Sequence, residues 1–325
     1  MKRASAIALA VGLGLAIGVI AWVGAGTLMD SISIAGWRVT LLAPIFLPWL
    51  LLAGWSWRLL LPRAAPVRIG SVVVIAWIAL GIAWLAPLGQ IGGEVVKAAW
   101  ARKHGVPGAA AVASVVADKT VQLGTQIALA IVGVALLAWL SSDTSALVGA
   151  GVGLGVFTLA VVGFMIAQAR GLFRASVGLV RGPLKRFTSD SLHEDATRVD
   201  QAVRAVYRDR RRIVLSALTR LGFRLGFAVE TYLALRLLGH DIGPAQVLAI
   251  ESLAQAVRAG AFLIPAGLGV QEGAFVALAV ALGIPAPVGL AVSVCKRARE
   301  LLVGVPALVA WQVLISVRSR GDATD

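Results

Sequence analysis

The feature that most constrains the fold is the recurrence of apolar segments long enough to cross a lipid bilayer. A transmembrane α-helix needs about 20 predominantly apolar residues. Segments of at least that length lie at 4–29, 38–61, 109–140, 145–167, 213–238 and 286–317. We therefore predict an all-α polytopic membrane protein with about six full spans, the first of them an uncleaved helix.

The composition supports a single transmembrane domain over residues 1–325. Of the 325 residues, 59% are apolar and only 14% are charged, whereas soluble domains carry about 45–50% apolar and about 25% charged residues. These values exclude a water-soluble globule, and the low charge excludes a disordered chain. They also leave little room for a separate soluble enzyme domain.

The net charge of +14 would suggest a nucleic-acid partner in a soluble protein. In a membrane protein, Lys and Arg gather in cytoplasmic loops instead, so we predict no nucleic-acid partner. The single cysteine and the three histidines, which lie far apart, give no metal-ligand spacing. Because no phosphate-binding, dinucleotide-binding or nucleophile motif is present either, we predict no metal and no cofactor.

The placement of Lys and Arg predicts which side of the membrane each loop faces. Lys2 and Arg3 near one end and Arg318 and Arg320 near the other predict that both termini are cytoplasmic. Segment 170–212 holds eleven basic and five acidic residues and is also predicted to be cytoplasmic. The loops at 30–37 and 239–244 contain no Lys or Arg, so we expect them on the outer side.

Two further apolar segments, 69–86 and 247–264, are interrupted by Pro/Gly-rich breaks that each end in a glutamate, Glu94 and Glu272. The charge pattern predicts that segment 69–104 begins and ends on the cytoplasmic side and that segment 247–282 begins and ends on the outer side. Each segment therefore enters the membrane, turns and returns on its own side. A true re-entrant hairpin and a full helix followed by a short returning helix fit this pattern equally well.

The two interrupted segments also match each other at an offset of 178 residues, with 7 identities between positions 87–107 and 265–285. We predict two repeats of opposite orientation, about 38–140 and 213–317. Inverted repeats with broken helices are typical of secondary transporters. Irregular backbone at membrane depth is tolerated where it lines a cavity or is buried, so the breaks predict a cavity between the repeats. The alternative is an old duplication whose turns only pack.

Charged side chains inside apolar spans are the candidate site residues, because a charge in lipid is costly and usually functional. Glu94 and Lys97 are spaced to pair, as are Lys296 and Glu300. The candidates for the substrate path are Glu94, Lys97, Asp118, Lys119, Glu251, Arg258, Glu272, Lys296, Arg297 and Glu300. The candidate hinge or turn residues are Pro87, Gly93, Pro265, Gly267 and Gly269.

Matching positions in the two repeats place a cation in an apolar span at Lys119 and at Arg297. We predict that these two side chains lie close together near the cavity and contact a headgroup phosphate. Interhelical salt bridges are the alternative, above all for Glu230, Glu251 and Arg258. For Arg220 and Arg236 we predict that the side chain extends to interface water.

Segment 170–212 mixes basic and apolar residues at helical spacing. This pattern predicts helices that lie on the inner leaflet and bind anionic lipid. An ordinary basic loop is the alternative.

The Pro/Gly/Glu breaks also carry a resemblance to a known family. Pro265-x-Gly267-x-Gly269-x-x-Glu272 and Gly93-Glu94-x-x-Lys97 resemble signature segments of the lysylphosphatidylglycerol synthase transmembrane-region family, also called flippase-like. The similarity covers residues 38–317. Asp118-Lys119 stands where the family usually shows Glu-Arg. The tryptophan-rich span at 49–57 looks like the branch associated with hopanoid biosynthesis.

The resemblance implies a lipid translocase of the bacterial inner membrane that is not an enzyme. Its substrate would be a hopanoid-related or other isoprenoid-derived lipid, or a phospholipid, and lipid-biosynthesis enzymes would be partners. Two alternatives remain: a non-catalytic scaffold of a lipid-biosynthesis complex, and an intramembrane enzyme that uses the buried carboxylates on a headgroup.

Overall fold

The computed structural model describes residues 33, 36–85, 89–141, 144–170, 190–261, 264 and 267–321. These residues form ten α-helices and no strand. The helices are α1 (Leu42–Arg58, after a 3₁₀ turn at Gly36–Leu41), α2 (Ile69–Leu85), α3 (Gly89–Lys103), α4 (Gly108–Leu140), α5 (Thr144–Ala169), α6 (Asp190–Arg208), α7 (Arg210–Leu237), α8 (Pro244–Gly260), α9 (Val270–Ala281) and α10 (Ala286–Gly321).

Some of the predicted features lie outside the described residues. They are the first predicted span at 4–29, the two prolines Pro87 and Pro265, and most of the first half of segment 170–212.

Both interrupted segments form pairs of helices that pack against each other, α2 with α3 and α8 with α9. The 17 residues of α2 extend about 26 Å and the 12 residues of α9 about 18 Å at 1.5 Å per residue. Both lengths fall short of a hydrocarbon core of about 30 Å.

The predicted turn residues have different outcomes. Gly267 and Gly269 have φ angles of +60° and +75°, in the left-handed region that favours glycine, so they form the turn before α9. Gly93 was predicted to be a turn residue as well, and this is wrong, because α3 begins at Gly89 and contains it. A Cβ atom at Gly93 would overlap the carbonyl oxygen of Ala79, so this glycine permits α3 to pack closely on α2.

Helix bounds in the two halves of the chain agree with the offset of 178 residues. Shifted by that number, α2, α3 and α4 begin and end within three residues of α8, α9 and α10. The packing between the halves has the same pattern, because α4 packs on α8 while α10 packs on α2, and α1 packs on α7. The opposite membrane orientation of the halves stays a prediction.

Apolar side chains at corresponding positions fill two of the buried cores. One core holds Trp57, Val72, Ile75, Ala101 and Val106, and the other holds their counterparts Leu235, Ile250, Leu253, Ala279 and Ile284. A third core joins α1, α2, α7 and α10 through Phe46, Trp84, Phe223, Phe227 and Val303. Through these cores, the helices of the two interrupted segments pack against the neighbouring helices.

The outer surface is rich in exposed apolar side chains. On α5, Val148, Val152 and Leu159 are 62–75% exposed, a burial pattern that suits a lipid environment. By length and composition, two helical segments among the described residues could cross a membrane, Gly36–Arg58 and Gly108–Leu140. The predicted number of six full spans stays a prediction.

Helix α6 packs on α4. Val206 and Tyr207 contact the cluster formed by Ala117 and Val121, and the Tyr207 hydroxyl donates a hydrogen bond to the Thr120 hydroxyl at 2.9 Å. Burial raises the pKa of the Tyr207 phenol above its usual value, so the phenol keeps its proton. The apolar side of this segment is predicted from sequence to face lipid. From residue 196 onward it packs on protein instead. Binding of anionic lipid stays a prediction.

Candidate functional site

A cavity of about 160 Å³ lies between the two helix breaks. Ala83 and Gly93 line it beside the first break, and Ala261 and Gly267 line it beside the second. Side chains from α1, α4 and α7 complete its wall. Both breaks therefore border one cavity, in the place that the sequence pattern predicted.

The cavity is strongly polar for a site inside an apolar bundle. Its charged lining residues are Glu94, Lys97, Asp118, Lys119, Arg220, Arg224 and Arg258, accompanied by the amides Gln122, Gln126 and Gln255. Aromatic rings of Trp57, Trp84, Phe223 and Phe227 form much of the remaining surface. Such a mixture of apolar walls with a few convergent polar groups is typical of a ligand-binding site.

Asp118 is the most central charged group in this cavity. Its side chain is fully buried, and it forms salt bridges with Lys97 of α3 at 2.5 Å and with Arg220 of α7 at 2.6 Å. The Gln122 amide donates a further hydrogen bond to it at 2.9 Å. Because a buried charge requires a partner, this carboxylate holds three helices together around the cavity.

Glu94 borders the same network. Its carboxylate lies 2.5 Å from the Lys97 ammonium, so the predicted i,i+3 pair is present. Gln122 also donates to Glu94, at 3.4 Å. Lys97 is thus shared by Glu94 and Asp118.

Arg224 differs from the other cations because its hydrogen bonds all go to neutral groups. It donates to the Thr125 hydroxyl at 3.1 Å, to the Gln122 carbonyl oxygen at 2.6 Å and to the Gln126 side-chain oxygen. Within the described part of the chain, no carboxylate lies within ion-pair distance of it. The cavity therefore holds a buried guanidinium that amides and a hydroxyl alone stabilise.

A second polar network lies behind the second helix break. Arg297 forms salt bridges with Glu272 at 2.8 Å and with Glu300 at 3.0 Å, and it donates to the Gly267 carbonyl oxygen at 3.1 Å. Arg258 reaches from the cavity wall to Glu300. These contacts fix the backbone of the break to α10.

A third network is fully buried between α7, α8 and α10. Arg299 binds Glu230 at 2.7 Å and lies over the ring of Phe46, with 4.2 Å to its centroid. Lys296 contacts Glu230 at 3.4 Å and Glu251 at 3.1 Å. The predicted pairing of Lys296 with Glu300 is therefore wrong, because Lys296 points toward α7 and α8 while Glu300 binds Arg258 and Arg297.

The predicted site residues divide into two groups by position. Those that line the cavity are Glu94, Lys97, Asp118, Lys119, Arg258, Gly93 and Gly267. Those outside its lining are Glu251, Glu272, Lys296, Arg297, Glu300 and Gly269. The sequence predicts that Lys119 and Arg297 contact one headgroup. Only Lys119 lines the cavity, because Arg297 is bound by Glu272 and Glu300 outside the lining. The roles of all these residues in a substrate path stay predictions.

Arg220 and Arg224 are, among the described residues, the charged cavity residues that the sequence interpretation left out of the site. The prediction that Arg220 extends to interface water is wrong, because its side chain is only 6% exposed and binds Asp118. The signal that could have identified them was available: they lie four residues apart on one helix face with no acidic residue near them in sequence.

Among the described residues, no group of three or more His, Cys, Asp or Glu side chains is arranged to hold a metal ion. The sequence model described as "Lysylphosphatidylglycerol synthase TM region" matches residues 7–307. No curated protein matches the chain, and no solved structure matches it.

Proposed function

Because the chain belongs to the lysylphosphatidylglycerol synthase transmembrane-region family, and so is a membrane protein of lipid metabolism or translocation, we propose that it moves a polar-headed lipid between the two leaflets of the bacterial inner membrane. The lipid is a phospholipid or a hopanoid-related lipid, and both termini of the protein are cytoplasmic.

The observation that carries this proposal is the charged cavity between the two helix breaks. A charged headgroup crosses hydrocarbon only at a free-energy cost, since an ionised side chain at the bilayer centre already costs about 2.5–3.5 kcal/mol on insertion scales. The cavity offers ammonium, guanidinium and amide groups at the place where the helices are interrupted. The headgroup passes through this polar interior while the tails stay against the apolar outer surface.

The proposal contains no covalent step. The carboxylates of Asp118, Glu272 and Glu300 each bind one or two cations. This arrangement suits charge compensation in a wall better than acid–base chemistry on a bound headgroup. We therefore propose a translocator rather than an intramembrane enzyme.

Leaflet-resolved translocation in proteoliposomes tests the proposal. Purified protein is reconstituted with a fluorescent phospholipid, and the fraction of label accessible to a membrane-impermeant quencher is followed with time. We expect faster exchange than in protein-free vesicles and at least a tenfold loss for Glu94→Gln, because Glu94 lines the cavity.

Arg236→Gln is the matched control for this assay. Arg236 lies on the exposed surface and pairs there with Asp241 at 2.8 Å, so its loss leaves the cavity intact. If the unsubstituted protein exchanges lipid no faster than empty vesicles, or Glu94→Gln exchanges at the parental rate, the proposal is wrong.

A further inference from the structure

One cation at the cavity wall, Arg224, has no carboxylate partner in the part of the chain that the structure describes. Among the described residues, five cationic and two anionic side chains line the cavity. Lys97 and Arg220 bind Asp118. Arg258 binds Glu300, which lies behind the wall. No described carboxylate lies within ion-pair distance of Arg224, whereas the fully buried network of Glu230, Glu251, Lys296 and Arg299 is balanced.

The guanidinium of Arg224 has N–H donors that its neutral partners do not use. A guanidinium has five N–H donors, and Arg224 uses three of them, one on each nitrogen. One N–H remains on each of the two terminal nitrogens. Guanidinium N–H groups are frequent partners of carboxylate and phosphate oxygens.

Among the described residues of the cavity wall, both carboxylates already bind cations. Asp118 uses one carboxylate oxygen to bind Arg220 and the other to bind Lys97 and Gln122. Glu94 is engaged by Lys97 and Gln122. An incoming ammonium would have to displace an existing salt bridge and would face the guanidinium of Arg224 as well.

We propose that the cavity binds the phosphate of a net anionic lipid headgroup at Arg224, and that it rejects a headgroup carrying a further ammonium, including the aminoacylated lipid in the family's name. This inference rests on the proposed function and adds the substrate's charge class to it. A cavity of about 160 Å³ resembles in size one of roughly 150 Å³ that holds benzene. A phosphate with a small alcohol fits this space.

The first test compares translocation of fluorescent phosphatidylglycerol with that of fluorescent lysyl-phosphatidylglycerol in phosphatidylcholine proteoliposomes. We expect at least a tenfold faster exchange of phosphatidylglycerol. Arg224→Gln should abolish this preference, and Arg224→Lys should retain part of it because the charge stays. Equal exchange of the two lipids by the unsubstituted protein would overturn the inference.

A reciprocal variant strengthens the test. Gln126→Glu places a carboxylate against the guanidinium of Arg224, since the Gln126 side-chain oxygen already accepts from it. Relative to the parent, this variant should exchange phosphatidylglycerol more slowly and lysyl-phosphatidylglycerol faster. A Gln126→Glu protein that keeps the parental preference would contradict the assignment of the phosphate to Arg224.

A binding measurement separates this inference from the proposed function. The melting temperature of the purified protein in neutral detergent is recorded with phosphatidylglycerol, with lysyl-phosphatidylglycerol and with soluble glycerol 1-phosphate. We expect phosphatidylglycerol to raise the melting temperature of the unsubstituted protein but not that of Arg224→Gln. Glycerol 1-phosphate should raise the melting temperature less, because the tails add affinity only for the lipid.

The outcomes can be told apart. A rise in melting temperature that depends on Arg224, without translocation, would refute the proposed function and support the anion site. Translocation of both lipids with no rise that depends on Arg224 would refute the anion site and keep the function. A larger rise with glycerol 1-phosphate than with the lipid would identify a free organophosphate as the ligand and overturn the lipid assignment.

Discussion

Asp118 lies fully buried between Lys97 of α3 and Arg220 of α7. Removal of one partner from a buried ion pair usually costs about 3–5 kcal/mol, because the remaining charge is left uncompensated. Asp118→Asn leaves Arg220 without its carboxylate partner, while Lys97 keeps only Glu94 among the described carboxylates. We expect it to lower the melting temperature in detergent by many degrees, with a loss of correctly folded protein.

Asp209→Asn is the matched control for this change. Asp209 pairs with Arg63, whose side chain is 80% exposed, and exposed pairs contribute about 0–1 kcal/mol. Its side chain also caps α7 by accepting from the Arg212 backbone N–H, and asparagine caps about as well as aspartate. A melting temperature equal for both variants would contradict the central place of Asp118.

Spacing within one helix is a partial guide to ion pairs, and it gives no guide to ion pairs between helices. Glu94 and Lys97 are three residues apart and do pair. Asp118 and Arg220 are 102 residues apart, and nothing in the spacing tells which helices pack together. The wrong pairing predicted for Lys296 has this cause, since Glu230 and Glu251 on neighbouring helices bind it instead of a residue one turn away.

At the scale of helices, the pair α2–α3 depends on a glycine contact. A Cβ atom at Gly93 would overlap backbone atoms of Ala79, which cannot move away as a flexible side chain can. We expect Gly93→Ala to destabilise the protein by about 1–3 kcal/mol, the usual cost of overpacking, measured as a lower melting temperature.

Gly149→Ala on α5 is the control substitution. A Cβ atom there meets no atom within 4 Å, and alanine is favoured over glycine in a helix by roughly 1 kcal/mol. The control should melt at the parental temperature or above it. If Gly93→Ala also melts there, the close packing of α3 on α2 is not the reason for this glycine.

The helix breaks themselves could be predicted, because Pro and Gly interrupt an apolar run visibly. The start of α3 could not be, since Gly89, Gly92 and Gly93 read as a turn in sequence although they lie in a helix. Packing against α2 overrides the weak helix propensity of these glycines. Gly267 and Gly269, which have positive φ angles, do form the expected turn.

For the whole molecule, the orientation of the two halves is the main topological prediction. In a Cys295→Ala background, His240→Cys should react from the outside with a membrane-impermeant maleimide. Arg204→Cys, which is exposed on α6, should react only after permeabilisation. Reaction of His240→Cys only from the inside would contradict the inverted repeat.

The predicted repeat led to the expectation of a cavity between both breaks, because equivalent interrupted helices would meet where the halves pack. The chemistry of the cavity could be predicted from the sequence only in part. The sequence indicated Glu94, Asp118 and Lys119, but it did not indicate Arg224 of α7, which lines the cavity through its contacts with α4.

The central claim is that a lipid headgroup passes through this cavity, and filling the cavity tests it most directly. Ala83 lines the cavity beside the first break, and Ala83→Trp places an indole in that space. Val156→Trp on the exposed face of α5 is the control, and the melting temperatures of both variants show whether each is folded. We predict that Ala83→Trp lowers phospholipid exchange in proteoliposomes at least tenfold while Val156→Trp exchanges at the parental rate. Folded Ala83→Trp protein that exchanges lipid as fast as its parent would contradict the account.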